Sequence, residues 1–266
     1  MRLYDFIDTD SPVLISIPHA GLEVPTEILS RFTPEARLLA DTDWHVDRLY
    51  DFAPAMGCSM LTARYSRYVI DLNRPPDDAN LYPGRDTTGL VPVDTFAGQP
   101  IYIDDMTPDM AETFGRIDGF WRPYHDKIAQ ALDAIRARHG YAILWEAHSI
   151  RSQVPRLFDG RLPDLSFGTV GGRACAESLA DIVTTAASHP SGAAYSQTRD
   201  GRFKGGYNTR HYGRPKDNIH AIQLEIAQAT YMDERPPFPF DEPKADQLRA
   251  SLRAMLQAAL DWRPGA

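Results

Sequence analysis

Cysteine is scarce in this chain: Cys58 and Cys175 are the only two among 266 residues. They share no paired-motif spacing, so neither a disulfide framework nor a cysteine zinc site is indicated, and both are expected to be reduced, buried small hydrophobes. Long apolar runs are missing as well, and without about 20 consecutive apolar residues no helix spans a bilayer. The opening residues, with Asp5, Asp8 and Asp10, lack the basic-then-apolar order of a secretory signal, and a cytoplasmic protein is expected. Positive charge is in the minority, with 28 Lys and Arg against 36 Asp and Glu and a net charge of -8. Phosphate backbones are held chiefly by Lys and Arg, so nucleic acid is not an expected partner. No internal repeat is visible.

What remains is an ordinary globular composition, 43% hydrophobic and 24% charged, which supports a large core and a single domain over 1–266. Val13-Leu-Ile-Ser-Ile-Pro-His-Ala-Gly21 reads as a buried strand stopped by Pro18 and Gly21, with His19 at its exit. Asp41, Asp43 and Asp47 follow in a segment where Val46, Leu49, Tyr50 and Ala53 recur at helical spacing. Capping accounts for such acids as readily as chemistry does. Strands are expected over 58–62 and 68–73, the second leading into Asn73 and Arg74. The 75–108 stretch, rich in Pro, Gly and Asp, reads as a lid or a wall of a site, with Tyr82 and Arg85 able to touch a ligand.

A helix is predicted over 108–139, kinked or divided at Pro123, with Tyr124, Ile128, Ala131 and Ile135 as its buried stripe and His125 packed beside it. A strand over 141–145 then exits into Glu146-Ala147-His148-Ser149, which puts a second histidine at a second strand exit. A loop over 151–170, a helix over 171–187, a strand near 194–198, a polar turn over 199–206, a strand over 219–226 carrying Glu225 and a helix over 245–262 complete the chain. Strands alternating with helices imply an α/β, three-layer α/β/α sandwich with a mixed, mostly parallel sheet. In such sheets ligands bind beyond the carboxyl ends of the strands. Two histidines and a carboxylate at that edge fit a catalytic zinc site with an open coordination position, and a separate carboxylate of the Glu225 kind could move the proton of the attacking water.

The segments IPHAG (17–21), DTDWHVDRLYDFA (41–53), YSRYVIDLNRPPDD (65–78), PYH (123–125), WEAHSIRSQVPRLFDGRLPDLSFGT (145–169), GGYNTRHYG (205–213) and IQLEIAQATYM (222–232) resemble those of N-formylglutamate amidohydrolases. That family is similar to the zinc carboxypeptidase and aspartoacylase type of fold. The resemblance implies hydrolysis of N-formyl-L-glutamate to formate and glutamate, the last step of a histidine degradation route, with one divalent metal, expected to be zinc. It implies His19 and His148 as metal ligands and an acid of 41–47 as the third, assigned to Asp43 with Asp47 as the alternate. Glu225 takes the general-base role. Glu146, where the family more often has Asp, is placed to orient His148. A substrate with two carboxylates needs cationic forks. Arg74, Arg67 and Arg210 are the candidates, Arg210 also serving the developing oxyanion, with Asn73 as a donor and Arg151 and Arg85 behind them. Two rival readings keep parts of this picture: an amidohydrolase for another N-acyl acidic amino acid, and a non-catalytic module binding small anions through its arginines.

Overall fold

The computed structural model describes residues 1–81, 83–188 and 195–265. In chain order it places β1 (Tyr4–Ile7), β2 (Val13–Ile17), α1 (Thr26–Leu29), α2 (Val46–Leu49), β3 (Ser59–Ala63), α3 (Met110–Arg116), α4 (Arg122–His139) and β4 (Ala142–Ile150). There follow β5 (Leu165–Gly168), α5 (Glu177–Ala186), β6 (Gln197–Arg199), α6 (Tyr207–Tyr212), β7 (Ile219–Ala227) and α7 (Glu242–Asp261). Among the described residues the strands form one seven-stranded sheet in the order β1-β3-β2-β4-β7-β5-β6. The central strands β3, β2, β4 and β7 run parallel, β1 is antiparallel to β3, and β5 is antiparallel to β7. The sheet is therefore mixed and mostly parallel, as the alternation of elements implied.

Side chains alternate across a strand, and that period sorts the core into two layers. Val13, Ile15 and Ile17 of β2, Ile143, Trp145 and Ala147 of β4, and Ile222, Leu224 and Ile226 of β7 pack with α2, α5 and α7. Leu14, Ala142, Leu144 and Ala221 face the other way, toward α4 and Tyr212 of α6. On this second face the alternation continues into Ser16, Glu146, His148, Gln223 and Glu225, all buried. Apolar side chains thus give way to polar ones toward the carboxyl ends of three adjacent strands. Each fully buried aliphatic side chain contributes about 1.5–3 kcal/mol, so the apolar halves of β2, β4 and β7 can hold a polar end that water would otherwise dissolve.

Several local expectations change. The 68–73 stretch is not a strand. The Asp71 side chain accepts the backbone N–H of Asn73 at 2.8 Å and Arg74 N–H donates to the Asp71 carbonyl, a local turn that outcompetes a ladder. The strand predicted over 141–145 runs on to Ile150, because its pairing with β7 continues through Ile150 and Ala227. His148 is therefore inside a strand rather than past its end. The helix predicted from 171 begins at Glu177, since Gly171 and Gly172 are left-handed at φ 64° and 78°. Pro123 follows a π-helical turn over Ile117–Trp121, and that wider turn takes the proline into a helix that runs on from α3 without a break. The strand expected near 194–198 begins in part outside the described residues, and β6 occupies Gln197–Arg199. Among the described residues no helix is long and apolar enough to cross a membrane.

His125, on α4, is buried and neutral. Its Nε2–H donates to the Leu72 carbonyl at 3.0 Å and its Nδ1 accepts the Tyr212 hydroxyl at 2.9 Å, and burial pushes its pKa down to about 3. The unfolded chain takes up a proton near pH 6.5 that the native state refuses. The contribution is thus intact above pH 6.5 and is lost as pH falls toward 3, at a slope of about 1 kcal/mol per pH unit. Urea unfolding of metal-free protein should give a stability gap between pH 7 and pH 5 that narrows in His125→Gln; an unchanged gap would contradict the assignment.

Candidate metal and active site

His19 lies two residues past β2. Its carbonyl accepts the Asp43 backbone N–H at 3.0 Å, which ties the 41–43 turn to the exit of the strand. Gly21 is required nearby because a Cβ there would come within 2.4 Å of the Arg64 backbone. Asp43 is fully buried. Its Oδ2 is 3.0 Å from His148 Nδ1 and 3.7 Å from His19 Nδ1, and accepts Ser149 N–H at 3.1 Å. The two imidazoles lie with ring centroids 5.0 Å apart. One ligand atom from each of His19, Asp43 and His148 falls within 4.8 Å of the others. The outward nitrogens are engaged: His19 Nε2 meets Asp71 Oδ1 at 2.7 Å, and His148 Nε2 meets the Asn73 amide at 3.1 Å and Glu146 Oε2 at 3.4 Å. Backing of the outer ring nitrogen by carboxylate or amide is how metal-bound histidines are oriented.

The charges around this point favour an added cation. Burial alone would raise the pKa of Asp43, but Arg67, then His148 and His19, hold it well below the usual range. Asp71 is likewise kept low against burial by His19, Arg74 and Arg67. Glu225 is different: burial and the neighbouring Asp43 outweigh His148 and Arg67 and push its pKa up to about 7. Burial would lower the pKa of His148, yet hydrogen bonds to Asp43 and Glu146 raise it to about 10. Arg67, buried against Asp43, Asp71, Asp41 and Glu225, stays charged despite desolvation; its Nη2 donates to Asp43 Oδ1 at 2.7 Å and to His19 Nδ1. A cluster of buried carboxylates around a single guanidinium, with two imidazoles and one carboxylate converging, fits a divalent ion of the zinc class.

The family model for N-formylglutamate amidohydrolase matches residues 11–232. This chain belongs to that family. It is 48% identical to an N-formylglutamate deformylase of Pseudomonas putida and 49% identical to one of Pseudomonas aeruginosa, each over 251 residues, 94% of this chain and 93% of the relative. A crystal structure of N-formylglutamate amidohydrolase from Ralstonia eutropha JMP134 aligns with a TM-score of 0.83 at 26% identity, covering 97% of both chains. A protein of Agrobacterium tumefaciens shares the fold at a TM-score of 0.72 and 18% identity, over 97% of this chain and 93% of that one.

In this N-formylglutamate amidohydrolase family member, His19, His148, Asn73, Arg67, Arg74 and Glu225 line one cleft. Glu225 is the register partner of His148 across β4 and β7 and accepts from Gln223 Nε2 at 3.3 Å. Asp47, the alternate to Asp43, points to solvent and is not brought to the cluster, because Asp43 occupies the turn beside His19. Arg67 reaches the cleft with its guanidinium turned inward onto Asp43, and Arg74 Nε donates to the Thr88 carbonyl at 2.9 Å. Arg210 is not brought in: its Nε donates to the Gly205 carbonyl at 2.9 Å and it lines a separate hollow with Arg173 and Gly213. Arg151 is directed to Asp41 at 3.5 Å, Arg85 is exposed, and neither lines the cleft. The 75–108 segment does form a wall, through Asp86, Thr87, Thr88 and Phe96; Tyr82 lies outside the described residues.

Outside the 75–108 wall, three polar or charged side chains of the cleft escape the sequence reading: Asp71, Gln223 and Arg202. Asp71 had a signal, an acid inside the apolar run Val69-Ile70-Asp71-Leu72. Gln223 also interrupts an apolar strand, and its Oε1 accepts Gly206 N–H at 2.8 Å. For Arg202, within a polar turn, no local pattern distinguishes it from any surface arginine.

Proposed function

We propose that the protein hydrolyses N-formyl-L-glutamate to formate and L-glutamate with the aid of one divalent metal, zinc, held by His19, Asp43 and His148. The observation that carries the reading is the convergence of these three side chains on one point of a cleft that also presents Glu225 and arginines. The names of the curated relatives, N-formylglutamate deformylases at 48–49% identity, support the substrate. A bound zinc-class ion lowers the pKa of a water and polarises a carbonyl. Glu225, a buried carboxyl beside His148, accepts a proton from the attacking water and delivers it to the leaving amine as the carbon–nitrogen bond breaks. Arg74 pairs with a substrate carboxylate and Asn73 donates to the amide or a carboxylate. Asp71 and Glu146 keep the two imidazoles oriented. Arg67 holds the anionic cluster together beside the place where the formyl oxygen gains charge. In the same reading the enzyme is cytoplasmic, acts on a small dicarboxylate and completes a histidine degradation route.

The test is release of formate and glutamate by zinc-loaded protein, with N-acetyl-L-glutamate and N-formyl-L-aspartate as comparison substrates. Turnover on the order of 1–1000 s⁻¹ is expected on N-formyl-L-glutamate, with loss after chelation and recovery on adding zinc. Faster hydrolysis of the acetyl compound would assign the enzyme a different acyl group. An active chelated enzyme would rule out the metal.

A further inference from the structure

Among the described residues three arginines line the cleft: Arg67, Arg74 and Arg202. They differ in what holds them. Arg67 is committed to Asp43 and His19, with Asp71 at 3.9 Å. Arg74 follows Asn73, whose amide contacts His148, and its charge acts on Asp71; it belongs to the end where the scissile amide must sit. Arg202 enters from the turn between β6 and α6. Its Nε donates to the Leu157 carbonyl at 2.6 Å, which fixes the root of the guanidinium to the loop opposite. Leu157 and Phe203 beside it also line the cleft, and they pack against the small apolar cluster that includes Phe96 and Ile150. Asp86, the acid that the 75–108 wall contributes, is held through both oxygens by Arg156 at 2.7 and 3.1 Å.

We infer that Arg202 is the specificity-determining residue for the side-chain carboxylate of the substrate, while Arg74 takes the carboxylate next to the reacting amide. The inference rests on the hydrolase reading of the cleft. In an N-formylated acidic amino acid the α-carboxylate is attached to the carbon bearing the scissile nitrogen, and in glutamate the second carboxylate lies two methylenes further out. Two arginines and the apolar Leu157 and Phe203 on the lining of one cleft suit a substrate whose two carboxylates are joined by methylenes. Leu157 and Phe203 would flank the methylenes, and their apolar surroundings strengthen a charge-assisted pair at the far end. Selection of an anionic side chain over a neutral one of the same shape then falls to Arg202.

The test compares N-formyl-L-glutamate with N-formyl-L-glutamine, which differ in that far charge, on zinc-loaded wild type, Arg202→Gln and Arg202→Lys. Truncating one partner of a desolvated charge pair lowers kcat/KM roughly 100-fold, so Arg202→Gln should lose about that factor on the glutamate compound. It should stay within about threefold of wild type on the glutamine compound, with Arg202→Lys intermediate. Calorimetric titration with L-glutamate and L-glutamine supplies a readout independent of turnover: the preference for glutamate should vanish in Arg202→Gln. An equal loss on both substrates, or an unchanged glutamate preference, would overturn the assignment. A wild type that binds glutamate through Arg202 but releases no formate would refute the hydrolysis and leave the carboxylate site standing.

Discussion

Alanine at His148 is expected to abolish stoichiometric metal and to lower kcat/KM on N-formyl-L-glutamate by at least about 10⁴-fold, the scale of electrostatic and nucleophile-generating effects together. Without His148 only His19 and Asp43 of the three proposed ligands remain, one short of the set a catalytic site needs. The site is buried, so no solvent-exposed side chain substitutes. The replacement also takes from Asp43 its 3.0 Å partner, but Arg67 and the Ser149 N–H remain on that carboxylate. The fold should therefore survive, because β4 keeps its full ladder with β7 and its apolar face against α2, α5 and α7. Elemental analysis, circular dichroism and formate release on one preparation separate the three effects. A folded, metal-free His148→Ala protein that turns over at the wild-type rate would sink the metal mechanism.

Glu225→Gln should have the second largest effect, a fall in kcat of about 10²–10⁴-fold with KM changed only a few-fold and metal content unaltered. Glutamine keeps the shape of the side chain and removes its capacity to take and return a proton. The substitution should not weaken the fold. Burial and Asp43 already push the carboxyl up to about 7, so a neutral amide replaces a group whose charge the cleft disfavours. Equal losses of metal and activity would instead make Glu225 a ligand, and unchanged kcat would leave the proton transfer to another group. The contrast with His148→Ala is the point of the pair: one variant loses the ion, the other keeps it and loses the chemistry.

Much of this arrangement was legible along the chain. β2 announced itself by the apolar run from Val13 to Ile17 stopped at Pro18, and β7 by an apolar run carrying Glu225. His19 and His148 were readable as a pair because each follows an apolar run, at an expected strand exit where a charge-capable side chain needs a reason to be. The family-specific segments gave the pair its chemistry. Local pattern misled where short-range hydrogen bonds competed with sheet pairing. The apolar 68–73 stretch looked like a strand, yet the Asp71 carboxylate captures the Asn73 N–H and turns the chain. The same turn delivers Asp71 to His19 and Asn73 to His148, so the expected strand that does not form and the missed site residue have one cause.

Choosing among like residues needed the third dimension. Asp43 and Asp47 are four positions apart on one short segment; the Asp43 N–H is tied to the His19 carbonyl and its carboxylate is buried against Arg67, His148 and Ser149, while Asp47 is exposed. Arg210 and Arg202 are both arginines in polar, glycine-flanked sequence. The geometry of α6 sends the first to a separate hollow, while the Leu157 carbonyl draws the second into the cleft. By itself the sequence determined the alternating α/β order, the buried strands and the residue types able to bind a metal, because those depend on hydrophobic period and side-chain chemistry. The tertiary structure alone decided which of several equivalent acids and arginines meet, because that depends on contacts between segments tens to hundreds of residues apart.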